Sequence, residues 1–268
     1  MLHTANADHE PAAAALMEGL AKGHSADKPG YLIHTSASGI LAFADLAEGT
    51  FGTLRGKEWD DMAGLEDVKD IPSSALHKNL EAMILNGRAK YGTSIHTALV
   101  CPPTIHGVGR GTGNTRSIQI PFMSEAVLKR GKGFRVGEGS NMWNSVHIED
   151  LSSLYLLLAD AAINGGGKAS WDDQGYYFAG SESYAWKDGS KWIAEAARNG
   201  GWIKTPEVDE LTVPQALKVH PWAPLLWGSN SRSVATRAKE NLGWKPRGER
   251  MREAIPEMVA AEAKRLGM

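Results

Sequence analysis

The opening of the chain constrains its fold most strongly, because it begins on a strand and carries no glycine-rich phosphate loop. Residues 1–5 have the pattern of a strand end, a helix is predicted over about 11–22, and the apolar run 31–36 is typical of a buried strand. Neither a Gly-x-Gly-x-x-Gly nor a Gly-x-x-Gly-x-x-Gly pattern occurs, and the glycine run 107–113 has the wrong spacing. We therefore expect the second half of a parallel α/β sheet.

Strands and helices alternate up to about residue 163, which predicts parallel strands joined by right-handed crossovers. Further strands are predicted at 93–101 and 176–179, the stretch 41–72 is loop-rich, and helices are predicted at 74–86, 118–130, 147–163, 187–199, 208–218, 232–242 and 250–266. The predicted fold is thus a partial doubly wound sheet over residues 1–163. A smaller, mostly helical C-terminal cap over 164–268 is interleaved with it.

Composition excludes several classes of partner. The net charge of −2 gives no strong attraction to nucleic acid, and the basic run 129–135 is interpreted as a solvated helix end. The longest apolar stretch, 154–163, is too short to span a bilayer. A single cysteine, Cys101, and the absence of a signal-peptide pattern favour a reducing, cytoplasmic location.

Four segments, taken together and in order, resemble the extended short-chain dehydrogenase/reductase family of the NAD-dependent epimerase/dehydratase type. They are a strand ending in a Ser/Thr cluster (31–39), a Pro-Pro loop with His106 where the family has Tyr (100–107), the segment 141–151, and the closing Leu-Gly-Trp-x-Pro segment (235–246). The resemblance implies a Rossmann-like fold, NAD or NADP as cofactor, and oxidoreductase chemistry. The implied substrate is a small carbonyl, hydroxyl or sugar-like compound.

The sequence departs from this family at its acid/base group. None of the six tyrosines is followed by Lys four residues later, so the family's Tyr-x-x-x-Lys pair is absent. Aligning Lys78 with the family Lys places Ser74 at the Tyr position, and sliding by one residue pairs His77 with Ser73. His77 is a candidate replacement acid/base, because imidazole titrates near neutral pH; the alternative is a surface histidine.

The remaining site predictions come from the matched motifs. They assign Ser36, Ser38, His77 and Lys78 to catalysis; Thr35, Lys78, Pro103, Thr104 and Ile105 to cofactor binding; and Asn141, Trp143, His147 and Arg232 to substrate binding. Simpler interpretations stay open. The hydroxyls would satisfy the backbone at a strand end, Arg232 would form a salt bridge within the cap, and Lys78 would lie on a solvated helix face. No metal site is predicted, because His147 with its acidic neighbours is better explained as a helix N-terminus.

Without its first strands, the sheet would expose an edge to pairing. We expect a partner chain or a second copy to cover that edge, and we expect this chain alone to bind NAD(P) weakly or not at all. Three interpretations therefore remain: an enzyme with an atypical active site, a non-catalytic nucleotide-sensing or protein-binding relative, and an inactive fragment.

Overall fold

The computed structural model describes residues 1–268, and its centre is a four-stranded parallel sheet in the order β1-β2-β4-β8. The strands are β1 (Leu2–His3), β2 (Gly30–Thr35), β3 (Trp59–Asp60), β4 (Ile95–Cys101), β5 (Thr104–His106), β6 (Gly133–Val136), β7 (Met142–His147), β8 (Tyr176–Phe178), β9 (Glu182–Ala185), β10 (Val208–Leu211) and β11 (Ser233–Val234). The sheet confirms the predicted α/β class.

The helices lie on both faces of this sheet and around a second core. They are α1 (Glu10–Gly23), α2 (Phe43–Glu48), α3 (Leu65–Lys69), α4 (Lys78–Leu85), α5 (Gly87–Tyr91), α6 (Gln119–Arg130), α7 (Ile148–Ile163), α8 (Trp186–Asn199), α9 (Val213–Val219), α10 (Thr236–Leu242) and α11 (Met251–Arg265). None of them combines the length and the hydropathy that a membrane span requires.

The first core forms around the sheet. Strand β4 is buried along most of its length, as expected for a parallel strand covered on both faces. Helices α1, α4 and α7 contribute Met17, Ile84 and Leu154 to this core, and each is fully or almost fully buried. This core fixes the ends of β2 and β4, which is where the predicted Ser/Thr cluster and the Pro-Pro loop begin.

The second core packs α6, α8 and α11 around large aromatic side chains. Trp186 and Trp227 are completely buried in it, and the Trp227 ring meets Phe134 edge-on. Helix α6 and strand β6 precede residue 164, yet they contribute to this core. The second unit also contains strands, because β10 pairs with β6 and β9 pairs with β7.

Three predicted helices begin later than expected. Residues 208–211 form β10 and 233–234 form β11, so helices α9 and α10 start only after those strands. Helix α4 begins at Lys78 because the preceding residue, His77, has a φ of 64° and breaks the helical path. The loop-rich stretch 41–72 contains the short helices α2 and α3.

Strand β1 forms one edge of the sheet and pairs only with β2. The amino group of Met1 donates to the carbonyl of Tyr31 at 2.6 Å, and the Leu2 side chain is 51% exposed. Beyond β1 the chain turns at once toward the carboxyl ends of the neighbouring strands, where Thr4 and Ala5 line a cavity.

Candidate functional site

A cavity of about 750 Å³ lies where the carboxyl ends of three sheet strands meet the second core. Thr4 follows β1, Ser36 follows β2 and Pro102 follows β4, and all three line this cavity. Ligands of open parallel sheets bind at this end of the strands. Six predicted site residues line the cavity together: Thr35, Ser36, His77, Pro103, Ile105 and Trp143.

The Ser/Thr cluster is held at the end of β2 by the sheet itself. The Ser36 amide donates to the Val100 carbonyl at 2.8 Å, which continues the pairing of β2 with β4 by one residue. The Thr35 hydroxyl is hydrogen-bonded to the Tyr155 hydroxyl, and the Ser36 hydroxyl donates to the Glu81 carboxylate at 2.6 Å. Each hydroxyl therefore has a fixed hydrogen-bond partner, and both residues line the cavity.

Glu81 is a site residue that the sequence analysis missed. Its side chain is almost fully buried, and its carboxylate accepts hydrogen bonds from Ser36, from the Tyr176 hydroxyl at 3.2 and 3.3 Å, and from the Cys101 thiol at 3.6 Å. Burial raises the pKa of Glu81 to about 7, because desolvation disfavours the charged form more than these hydrogen bonds and the nearby Lys78 favour it. A carboxyl group that titrates near neutral pH thus lies directly behind a cavity hydroxyl.

His77 lies on the same side of the cavity and is held in an unusual backbone conformation. A left-handed φ of 64° is uncommon for a residue with a side chain and costs of order 1 kcal/mol. The Nδ1 atom of His77 lies 2.5 Å from an Asp8 carboxylate oxygen, and the imidazole is 17% exposed. A carboxylate on one ring nitrogen fixes the tautomer and leaves Nε2 for another partner.

The opposite wall belongs to the second core and is largely apolar. Ile118, Trp143, Leu225 and Leu226 line it. The Trp143 indole nitrogen donates to the Ser229 carbonyl at 2.7 Å, so the ring is fixed with its polar atom turned to the backbone. This wall offers shape and apolar surface to a ligand.

Arg116 is the only Lys or Arg side chain that lines the cavity. Its guanidinium donates to both carboxylate oxygens of Glu262, at 2.7 and 3.0 Å, and to Glu125 at 3.1 Å. Two carboxylates therefore already balance this charge, and the cavity presents no unpaired cation to an anionic ligand.

Three predicted residues of the sheet unit lie away from the cavity. The Ser38 hydroxyl is buried against the Ser231 hydroxyl at 2.7 Å, and Thr104 is buried with Gln119 and Tyr184 as hydrogen-bond partners. The Lys78 ammonium donates to the carbonyls of Val68 and Lys69, at 2.9 and 2.6 Å. Lys78 lines a separate cavity of about 210 Å³, and its burial lowers its pKa.

The predicted substrate residues, apart from Trp143, are occupied by local contacts. The Asn141 amide is fully buried and donates to the Trp227 and Ser229 carbonyls. His147 caps α7 by accepting from the Glu149 amide at 3.2 Å.

Arg232 pairs with Glu58 at 2.7 Å and donates to the carbonyls of Arg55 and Gly56. No group of three or more His, Cys, Asp or Glu side chains is arranged to hold a metal ion.

The two-core α/β arrangement with its cavity at the strand ends is the fold of the extended short-chain dehydrogenase/reductases, as the four motifs predicted. Solved structures share it. A UDP-glucose 4-epimerase from Thermotoga maritima, solved with UDP-glucose, aligns over 99% of this chain and 76% of its own, with a TM-score of 0.59 and 16% identity. The PbgP3 protein of Burkholderia pseudomallei aligns over 96% and 69%, with a TM-score of 0.62 and 13% identity.

A curated relative defines the family more narrowly. The chain is 31% identical to Oxidase ucsJ of an Acremonium species over 98% of its own length and 78% of that protein. No family model matches the chain. The chain therefore belongs to the same family as this oxidase.

Proposed function

We propose that the chain is an NAD(P)-dependent oxidoreductase of the epimerase/dehydratase type, acting on a small carbonyl or hydroxyl compound, including sugar-like ones. The observation that carries this proposal is the cavity at the strand ends, which brings Ser36 and Thr35 together with the His77–Asp8 pair. Hydroxyls that orient an oxygen and an imidazole that moves a proton are the groups such a reaction needs. Membership of a family that contains an oxidase supports the same class.

The cavity residues fit the nicotinamide end of the cofactor. Pro103 lies in the loop after β4 and Ile105 in β5, on the side where Thr35 ends β2. Among structures with this fold, MoeE5 was solved with NAD and UDP-glucuronic acid. A bound nicotinamide would supply the hydride acceptor or donor. With Arg116 already paired, we expect a diphosphate to gain little from this cavity, so binding by this chain alone is expected to be weak.

The chain's own residues divide the remaining work. Ser36 and Thr35 orient the substrate oxygen, since both hydroxyls are fixed from behind by Glu81 and Tyr155. His77 takes the hydroxyl proton at Nε2 when the substrate is oxidised and returns it when the substrate is reduced, while Asp8 stabilises the imidazolium. The Tyr of the family motif is thus replaced by a histidine on the same segment of the fold.

A second candidate function, protein binding, is favoured by the edge of the sheet. Strand β1 has no partner on its outer side, and Met1 and Leu2 are 54% and 51% exposed there. An unpaired strand edge accepts a strand from another chain. In this alternative, a partner or a second copy extends the sheet at β1, and the chain does not catalyse a reaction.

The deciding experiment measures NAD(P)H absorbance during incubation with alcohols, ketones and sugars, for the native chain and for His77→Asn. Asn tolerates the left-handed conformation, so the variant is expected to fold. We expect turnover to fall by about 10²–10⁴-fold, the usual contribution of a general acid/base. His24→Asn, at an exposed histidine on the far side of α1, is the control and should keep full turnover.

Two outcomes would contradict the proposal. Full turnover in His77→Asn would remove the histidine from the reaction. Absence of turnover, together with a melting temperature that no nicotinamide nucleotide raises, would favour the protein-binding alternative, because a ligand of the folded state must stabilise it.

A further inference from the structure

The Ser36 hydroxyl connects the main cavity to a buried carboxyl group. Ser36 lines the cavity, and its hydroxyl donates its single proton to Glu81 at 2.6 Å. Glu81 does not line that cavity; it lines the smaller one with Lys78 and Tyr176. A buried ionisable group therefore touches the substrate space only through one serine hydroxyl.

The protonation state of Glu81 determines what Ser36 can offer to a ligand. An ionised carboxylate only accepts hydrogen bonds, so it holds the Ser36 proton and leaves the serine lone pairs facing the cavity. In that state Ser36 accepts from a ligand hydroxyl. A protonated carboxyl carries a proton of its own, and Ser36 is its nearest partner, at 2.6 Å against 3.2 Å for Tyr176. Ser36 then accepts from Glu81 and its own proton is free to turn to a ligand carbonyl.

We propose that Glu81 is a positioning residue that sets the direction of the Ser36 hydroxyl, and thereby whether the cavity favours the hydroxyl or the carbonyl form of its substrate. The proposal rests on the proposed function for the nature of the ligand oxygen. Both forms of Glu81 are populated near neutral pH, since burial raises its pKa to about 7. An alcohol can donate or accept, whereas a ketone only accepts, so raising the pH should weaken binding of the ketone relative to that of the alcohol.

The charged and titratable groups around Glu81 are few. Lys78 and His77 approach from its own helix and its N-terminus, Cys101 from β4 and Tyr176 from β8. Lys69 and Asp173 face it across the smaller cavity. Only His77 among these also lines the main cavity, so a variant at His77 is needed beside those at Glu81 and Tyr176.

The test measures binding rather than turnover. Dissociation constants of cyclohexanol and cyclohexanone, a matched alcohol and ketone, are determined by ligand-observed NMR from well below to well above pH ~7, with no nucleotide present. In the native chain we expect the ratio of the alcohol affinity to the ketone affinity to rise by about tenfold across this range. The reason is that the ketone loses the hydrogen bond from Ser36 and faces its lone pairs instead. In Glu81→Gln the ratio should be independent of pH.

Two further variants separate this effect from simple loss of structure. Tyr176→Phe removes a donor to the ionised carboxylate, so the dependence should persist with its midpoint at higher pH. If Glu81→Gln does not fold, the midpoint shift in Tyr176→Phe tests the proposal in its place, and an unshifted midpoint contradicts it. His77→Asn should leave the dependence in place.

The proposal is overturned if both probes bind the native chain with a ratio that does not change with pH. It is also overturned if Glu81→Gln keeps the native dependence or if His77→Asn removes it. Failure of both probes to bind at any pH would instead contradict the proposed function, and this inference with it.

Discussion

The two walls of the cavity are built on different principles. The sheet wall carries two polar groups that each have a fixed partner: the Ser36 hydroxyl with Glu81, and the His77 imidazole with Asp8. The wall from the second core presents Trp143 and Leu226 and no ionisable group that is unpaired. We therefore expect proton transfer to take place where the parallel strands end, and the separately packed second core to determine which ligand shapes fit the cavity.

The largest loss of stability is expected when a large buried side chain is removed from the second core. Trp227 is completely buried beside Phe134, and its indole nitrogen donates to the Gln119 carbonyl. Trp227→Ala should lower the free energy of unfolding by about 3–5 kcal/mol, measured by urea denaturation. Trp222, 58% exposed, is the control: Trp222→Ala should stay within about 0.5 kcal/mol of the native chain. Equal losses would contradict the packing described here.

On the sheet wall, the stability of the chain should depend on pH through Glu81. Its pKa is raised from 4.5 to about 7 on folding, so between these values the folded state keeps a proton that the unfolded state has lost. Stability therefore falls as pH rises through this window, by at most about 1.4 kcal/mol per pH unit. Glu81→Gln lacks this slope.

The measurement is the difference between the unfolding free energies of the two chains over that window. His34, whose pKa is lowered to about 4 by burial, gives the opposite slope, and Asp61, whose pKa is raised to about 7 by burial, gives the same slope. Both contributions are present in both chains and cancel in the difference. Parallel curves for the native chain and Glu81→Gln would show that Glu81 ionises normally in the folded state.

A charge introduced on the wall from the second core should weaken probe binding without changing its pH dependence. Leu226→Arg replaces an apolar side chain of the cavity lining by a cation, and we expect the affinity for cyclohexanol to fall by about tenfold. The pH dependence of the alcohol-to-ketone ratio should remain, since the sheet wall is unchanged. Leu217→Arg, at an exposed position on α9, is the matched control. Loss of the pH dependence in Leu226→Arg would mean that the two walls are not separable.

The smallest effect is expected at His147, which caps α7 rather than lining the cavity. His147→Ala should cost about 1 kcal/mol of unfolding free energy, as N-cap truncations do, and leave probe binding unchanged. Weakened binding of cyclohexanol in this variant would restore His147 to the ligand site that the sequence motif implied.

Strands β2 and β4 could be predicted from sequence, because each carries an apolar run, Leu32–Ile33 and Ala98–Cys101, that is buried in the sheet. The short strands could not. Strands β10 and β11 exist through pairing with β6 and β3, which lie more than 70 residues away in the chain. Local pattern carries no information on such pairing.

The structure brings some of the predicted site residues to one cavity and places others elsewhere, and both outcomes have physical reasons. Thr35, Ser36 and Pro103 were found because strand ends converge. Lys78 was placed by a helical spacing that includes residue 74, yet α4 begins only at Lys78, so the spacing does not apply. Glu81 was missed because its role depends on burial. One signal was present, since this carboxylate lies between Leu80 and Ile84 on the buried side of α4.

The short first strand has a practical consequence for anyone handling this chain. Thr4, Ala5 and Ala7 line the cavity, and Asp8 holds His77, so the segment that follows β1 forms part of the cavity and depends on the position of that two-residue strand. The carboxyl end leaves α11 on the second core, with Met268 exposed. An affinity tag or a fluorescent fusion belongs at the carboxyl end, where it leaves that strand undisturbed.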